Sequence, residues 1–188
     1  MSLPRPRPRR RARVTMLLLA GAVVAASGIA TAYESSLAGW NEISWPFPRD
    51  AWEPGRAFVC TSEECGGEIQ LYVRPKIGFC NCTTGISDDD EVDRVTDLDL
   101  IDPQFKPLGD GKAIQAAGMQ GRVRHYIGRS RNGGVLTLLG IALSRKCDVI
   151  VGVAQSRSSD RRHEQIAFDL LSSPAIQSWI EAGLDGRR

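Results

Sequence analysis

From Gly121 to Ala154 the chain reads as long strands folded back on one another. Val123, His125 and Ile127 alternate with Arg122, Arg124 and Tyr126, the period-two pattern of a half-covered strand. Asn132-Gly133 is the residue pair that most favours a tight hairpin turn, because both residues tolerate positive φ. Beyond it, Val135 to Leu143 and Val149 to Ala154 are almost wholly apolar, separated by Ser144-Arg145-Lys146-Cys147-Asp148. Strands apolar on both sides must be covered on both faces, so this pattern demands a layer above the sheet and another below it. A helix over Leu136 to Leu143 is the alternative, with weaker boundaries.

Shorter strands are expected upstream at Arg56 to Cys60, Glu68 to Val73 and Ile77 to Cys82, with Gly66-Gly67 and Pro75-Lys76 as the turns between them. Ser87 followed by Asp90 has capping-box spacing, and the run Asp88-Asp89-Asp90-Glu91 suits the positive N-terminus of a helix carrying Val92 and Val95 inward. Asp102-Pro103 closes that unit, and Phe105 to Gln115 reads as loop. Two helices follow. Ser159 or Asp160 caps the first, with Ile166, Ala167, Leu170 and Leu171 inward. Ser173-Pro174 starts the second, with Ile176, Trp179 and Ile180 inward and Gly183 at its end. The expected fold is a single α+β domain, a mainly antiparallel twisted sheet with helices packed on it, over residues 56–188.

Residues 33–55 precede it as an extended lead-in. Trp40, Trp45, Phe47 and Trp52 alternate with Pro46 and Pro48, which suits an arm pinned to its own domain by rings; an exposed aromatic contact is the alternative. Residues 1–32 read as an export signal: six arginines, then an uncharged run from Met16 to Ala32, then Ala30-Thr31-Ala32 as a cleavage site before Tyr33. Seventeen residues reach about 25 Å, short of a hydrocarbon core of about 30 Å, so a membrane anchor over residues 16–32 is the lesser alternative. These 32 residues hold six of the 24 basic residues and none of the 22 acidic ones, so the remainder carries 18 basic against 22 acidic, a net charge of −4. The basic balance of the whole chain is therefore no sign of nucleic-acid binding.

All five cysteines, Cys60, Cys65, Cys80, Cys82 and Cys147, follow the signal. In an oxidising compartment disulfides are expected, and the odd number leaves one thiol over. Cys60 and Cys65 enclose a four-residue loop that a disulfide can close, while Cys80 and Cys82 would share one strand face and reach neighbouring elements. A zinc site made from Cys60, Cys65, Cys80 and Cys82 is the competing reading, although the spacings match neither a zinc ribbon nor a Cys-x-x-Cys redox motif. The aspartates Asp88, Asp90, Asp93, Asp97 and Asp99 do not follow a calcium-loop pattern, since Val92 and Asp93 fall where a ligand and a glycine belong. His125 reads as a core or edge residue of its strand and His163 as surface. No nucleophile elbow, phosphate loop, zinc-protease or dinucleotide motif occurs.

The element order from about Trp45 to Leu184 resembles that of PsbP-like exported domains. The segment Lys76-Ile77-Gly78-Phe79-Cys80-Asn81-Cys82, with Ser87-Asp88-Asp89-Asp90-Glu91, resembles uncharacterised exported bacterial proteins. These resemblances imply a compartment, periplasmic or secreted, and no activity. The expectation is an exported non-catalytic domain, without cofactor, that binds an envelope protein or assists an envelope complex. A thiol- or metal-dependent enzyme using Cys80 and Cys82, and a structural envelope protein, are the alternatives.

Overall fold

Eight strands form one antiparallel sheet among the residues that the computed structural model describes, 39–160 and 162–185. The expected signal over residues 1–32, its cleavage site and the first residues of the lead-in lie outside that range. The strands are β1 (Trp40–Ile43), β2 (Arg56–Cys60), β3 (Ile69–Lys76), β4 (Lys106–Pro107), β5 (Lys112–Ala116), β6 (Met119–Arg129), β7 (Val135–Arg145) and β8 (Asp148–Ser156). They run in the order β1-β2-β3-β8-β7-β6-β4, with β5 also paired to β6. Five helices accompany them: α1 (Ser62–Cys65), α2 (Asp89–Val95), α3 (Leu98–Ile101), α4 (Arg162–Leu171) and α5 (Pro174–Asp185). The chain is of the α+β class.

Register decides which side chains share a face. Leu71 and Leu139 both pair with Ala154, so this row points to one side, and Tyr72 and Gly140 both pair with Val153 in the row facing the other side. On the first face Leu71, Ile141 and Ile150 pack with Leu170 and Leu171 of α4 and with Ile176, Ile180 and Leu184 of α5. On the second face Val92 and Val95 of α2 cover Ala142, Val149 and Val151, while Leu98 of α3 covers Tyr126, Leu138 and Val153. The two-sided cover demanded by the apolar runs is therefore built from two separate helix pairs. Gly140 leaves room for the Tyr126 ring, whose edge would lie 3.0 Å from a Cβ there.

The β6–β7 turn falls at Asn132-Gly133, with one residue more than a two-residue hairpin. Ser130 and Gly134 are the last bonded pair, Gly133 N–H donates to Ser130 O at 2.8 Å, and Gly133 takes the left-handed position at φ 82. Four local expectations are corrected. Ile77 to Cys82 is not a strand: β3 runs on through Pro75 and Lys76, where β2 has already ended opposite Val73, so the missing proline N–H can face an open side. Lys106–Pro107 and Lys112–Ala116, within the expected loop, form β4 and β5 because β6 offers them an unpaired edge. The cap of α2 is Asp88 rather than Ser87, its carboxylate accepting Glu91 N–H while Glu91 reaches back to Ser87 N–H at 2.6 Å. Gly183 lies inside α5 rather than ending it, close against Pro75, whose Cγ would be 3.4 Å from a Cβ at that position.

Candidate functional site

Under α2 and α3 the sheet's second face combines apolar residues with ion-paired ones, Arg74 and Lys76 of β3 and Arg122 and Arg124 of β6; beyond these helices it changes character. There Gln70 and Tyr72 of β3 and Gln155 of β8 stand side by side on strands at the middle of the sheet. Gln70 Nε2 donates to Glu68 Oε1 at 2.8 Å, and a carboxylate can only accept, so the orientation of the Gln70 amide is set. Its Oε1 then accepts from Tyr72 OH at 2.5 Å and from Gln155 Nε2 at 2.8 Å. Gln155 Nε2 also donates to Tyr72 OH at 3.0 Å. Burial and the Glu68 carboxylate, against the opposing pull of Arg131, push the Tyr72 phenol up to about 12, which keeps it a donor. With both donors of its amide turned inward, Gln155 Oε1 accepts no hydrogen bond among the described residues.

This amide row floors a groove. One cleft of about 440 Å³ is walled by Pro46 and Phe47 of the lead-in, Leu100 and Ile101 of α3, and the hairpin residues Ser130 to Asn132. A second cleft of about 440 Å³ runs on past Gln70 to Gly67, Arg157 and Ser158. The two meet over Ser130, Leu136 and Gln155, and each falls in the size range of ordinary ligand sites. The aromatic lead-in, read as an arm packed on its own domain, supplies the wall: Trp45 and Phe47 pack edge-on to one another and both onto Tyr72, at 6.2 and 4.8 Å.

The arm is held in place by a buried ion cluster that the sequence did not announce. Arg74, 2% exposed, bonds Asp97 through Nε and Nη2 and Asp50 through Nη1 and Nη2, at 2.6 to 2.9 Å. Lys76 Nζ lies 2.8 Å from Asp97 Oδ1 and donates to Val95 O at 2.6 Å. Trp45 covers the Arg74 guanidinium at 5.5 Å. Burial pulls the Arg74 pKa down, but the bonds to Asp97 and Asp50 outweigh it and hold the group above its ordinary value. Sheet, α2–α3 cover and lead-in are thereby tied at one point.

The cysteines are arranged differently from expectation in one respect. Cys60 is bonded to Cys65, with Cα atoms 6.1 Å apart, and Cys82 is bonded to Cys147 in the β7–β8 turn. Cys80, expected among the paired residues, is the free thiol. The reason is the missing third strand. The chain around Cys80 runs beside the β7–β8 turn, Cys80 N–H donating to Cys147 O at 3.1 Å, and it is Cys82 that arrives opposite Cys147. A working thiol pair of Cys80 and Cys82, or zinc held by Cys60, Cys65, Cys80 and Cys82, has no set of thiolates to draw on. Burial, with Asp148 and Glu91 nearby, also pushes the Cys80 thiol up, away from the reactive thiolate.

The other singled-out residues are used within the fold. Asp88 caps α2, Asp93 accepts from Tyr126 OH at 2.5 Å and pairs with Arg124 at 3.0 Å, and Asp97 joins the ion cluster. No group of three or more His, Cys, Asp or Glu suited to a metal occurs among the described residues. His125, read as a core or edge residue, is instead an exposed residue within β6, paired with Leu139 on one side and accepting Leu108 N–H on the other, its Nε2 2.9 Å from Glu164 Oε2. His163, read as surface, is buried at 7% exposure with its ring against Gly67, and its Nε2 has no partner among the described residues. No described helix is long and apolar enough to cross a membrane.

Several exposed or partly exposed carboxylates are held below their ordinary values, which gives a pH expectation. Arg56 lowers Glu42, Arg74 lowers Asp50, Gly111 N–H with Arg122 lowers Asp89, and Arg162 takes Asp160 to about 2. A carboxyl depressed in the folded state stabilises above its unfolded pKa and loses that contribution as pH falls through the folded one. The urea midpoint is therefore expected to hold above about pH 5 and to fall progressively below the ordinary values of 4.5 and 3.8. A midpoint unchanged down to about pH 3 contradicts this.

No family model and no curated protein matches this chain. Among solved structures it is similar to PA94 of Pseudomonas aeruginosa, a protein of unknown function, at 18% identity and a TM-score of 0.40, over 68% of this chain and 86% of that one. It is also similar to LpqN, involved in cell envelope biogenesis of Mycobacterium tuberculosis, at 13% identity and a TM-score of 0.38, over 72% of this chain and 74% of that one.

Proposed function

We propose that this is an exported, disulfide-stapled binding domain that holds a partner of the cell envelope in the groove over Gln70, Tyr72 and Gln155. The observation that carries the reading is the amide row itself. On the same face of β3, Arg74 and Lys76 are buried and spend their charges on Asp50, Asp97 and Val95 O, whereas Gln70 and Gln155 stay half-buried beside the clefts, and Gln155 Oε1 accepts no hydrogen bond among the described residues. Two disulfides favour an oxidising compartment, in keeping with the export signal read in residues 1–32. The anchored alternative changes where the domain is held and leaves the groove the same.

The test is photo-crosslinking in the native cell. A photoreactive phenylalanine in place of Pro46, on the groove wall, is expected to give a discrete adduct that the additional change Gln155→Leu abolishes. The same reporter in place of Glu181, exposed on α5, is expected to give none. Equal adducts at both positions, or none at Pro46, would count against the proposal.

A further inference from the structure

The groove's unmet hydrogen-bonding groups say what kind of partner fits it. Gln155 Oε1, in the waist between the two clefts, is an acceptor without a donor. Its orientation is not free, because Glu68 fixes Gln70 and Gln70 fixes Gln155. Arg131 lines the cleft on one side of that waist and Arg157 the cleft on the other, and neither forms an ion pair among the described residues. Six of the eleven described arginines, Arg56, Arg74, Arg122, Arg124, Arg145 and Arg162, are committed to carboxylates. Glu68, which also lines the second cleft, is already bonded to Gln70 Nε2, so a complementary ligand brings a hydrogen-bond donor to the middle and a carboxylate to each arginine.

We propose that the groove holds an extended acidic segment of a partner polypeptide, a backbone N–H on Gln155 Oε1 and side-chain carboxylates on Arg131 and Arg157. This rests on the groove being the binding surface. A polypeptide offers backbone donors and carboxylates together, and an arginine can grip a carboxylate through two parallel bonds. The groove has two lobes that share Ser130, Leu136 and Gln155, one also lined by Pro46 and the other by Gly67, which suits a chain lying along both better than a compact molecule. Phe47 gives an apolar wall for a residue between the acidic ones. An oligosaccharide of uronic acids has carboxylates and hydroxyl donors that could meet the same groups, and is the competitor that the test must separate.

Protein purified from cells expressing the full chain is titrated with a labelled, end-capped hexapeptide of alternating Glu and Ala, its Lys-Ala counterpart, and a hexagalacturonate. The Glu peptide is expected to bind and the Lys peptide not. The double change Arg131→Ala with Arg157→Ala is expected to weaken binding about tenfold or more, and Gln155→Leu about fivefold. Lys106→Ala, on β4 at the far edge of the sheet, should change it less than about twofold. Thermal melts of the arginine variants are expected to match the parent, since both side chains are exposed. Binding of the uronate but not the Glu peptide, or an equal loss from Lys106→Ala, overturns the acidic-segment inference. If neither probe binds while the Pro46 adduct still forms, this inference fails and the groove reading stands. If the adduct is absent as well, both fail.

Discussion

Replacing Arg74 with alanine is expected to cost about 3–5 kcal/mol of stability, the usual loss when one partner of a buried ion cluster is removed. The cost comes from what is left behind. Asp97, 6% exposed, would keep only Lys76, and Asp50 would lose both of its guanidinium bonds. In a domain of this size the change corresponds to a fall in Tm of roughly 10 °C. A second effect follows from position: Asp50 and Trp45 fasten the lead-in to the sheet through Arg74, so the same variant should loosen the Pro46–Phe47 wall of the groove. Replacing the buried part of the cluster as a unit, with Arg74→Met, Lys76→Met and Asp97→Leu together, is expected to recover most of the loss, because the one carboxylate then left without its partner, Asp50, is exposed to water. Urea unfolding checks both variants. A single-variant cost below about 1 kcal/mol would mean that the cluster is not holding the layers together.

The disulfide between Cys82 and Cys147 is expected to be worth about 4 kcal/mol and that between Cys60 and Cys65 about 2 kcal/mol, on the chain-entropy count. The difference comes from the loops: the first closes a sequence separation of 65 and the second one of 5. The long loop contains β4 to β7, α2, α3 and the groove's hairpin wall, so opening it frees most of the sheet in the unfolded chain. Cys82→Ala with Cys147→Ala should lower the urea midpoint about twice as far as Cys60→Ala with Cys65→Ala. Cys60 and Cys65 are buried in the core, so part of the second loss will be packing rather than cross-linking. A reversed order, with the short loop costing more, would contradict this account.

The parts legible in the sequence are those whose pattern is local. The β6–β7 hairpin could be read because alternation, Asn132-Gly133 and an apolar run lie end to end, and α4 and α5 because helical spacing and a Ser-Pro start mark them. Ile77 to Cys82 misled because Ile77, Phe79, Cys80 and Cys82 make a short apolar run like a strand, whereas Gly78 at φ 69 turns the chain and donates to Asp148 Oδ1 at 2.8 Å. That contact spans 70 residues and has no local trace. The groove was hidden for the same reason. Gln70 and Tyr72 read as the outward side of a half-buried strand, and Gln155 as the residue after an apolar run. Only pairing across 85 residues makes them one row. Lys76 reads as a turn residue with Pro75, and Arg74 as the residue between that turn and the strand, because nothing local shows that Asp50 and Asp97 come to meet them.

Hydrogen exchange tests the central claim most directly. Protein purified from cells expressing the full chain is compared with and without a detergent extract of its own envelope. Slowed exchange is expected in the segments that wall and floor the groove, around Trp45 to Pro48, Ser130 to Leu136 and Gln155 to Ser158, and the Gln155→Leu variant should lose it. The outer face of α5 should be unchanged. Protection confined to α4 and α5, or to the free edge at β1, with the groove segments unaltered, would contradict the assignment of this groove as the binding surface.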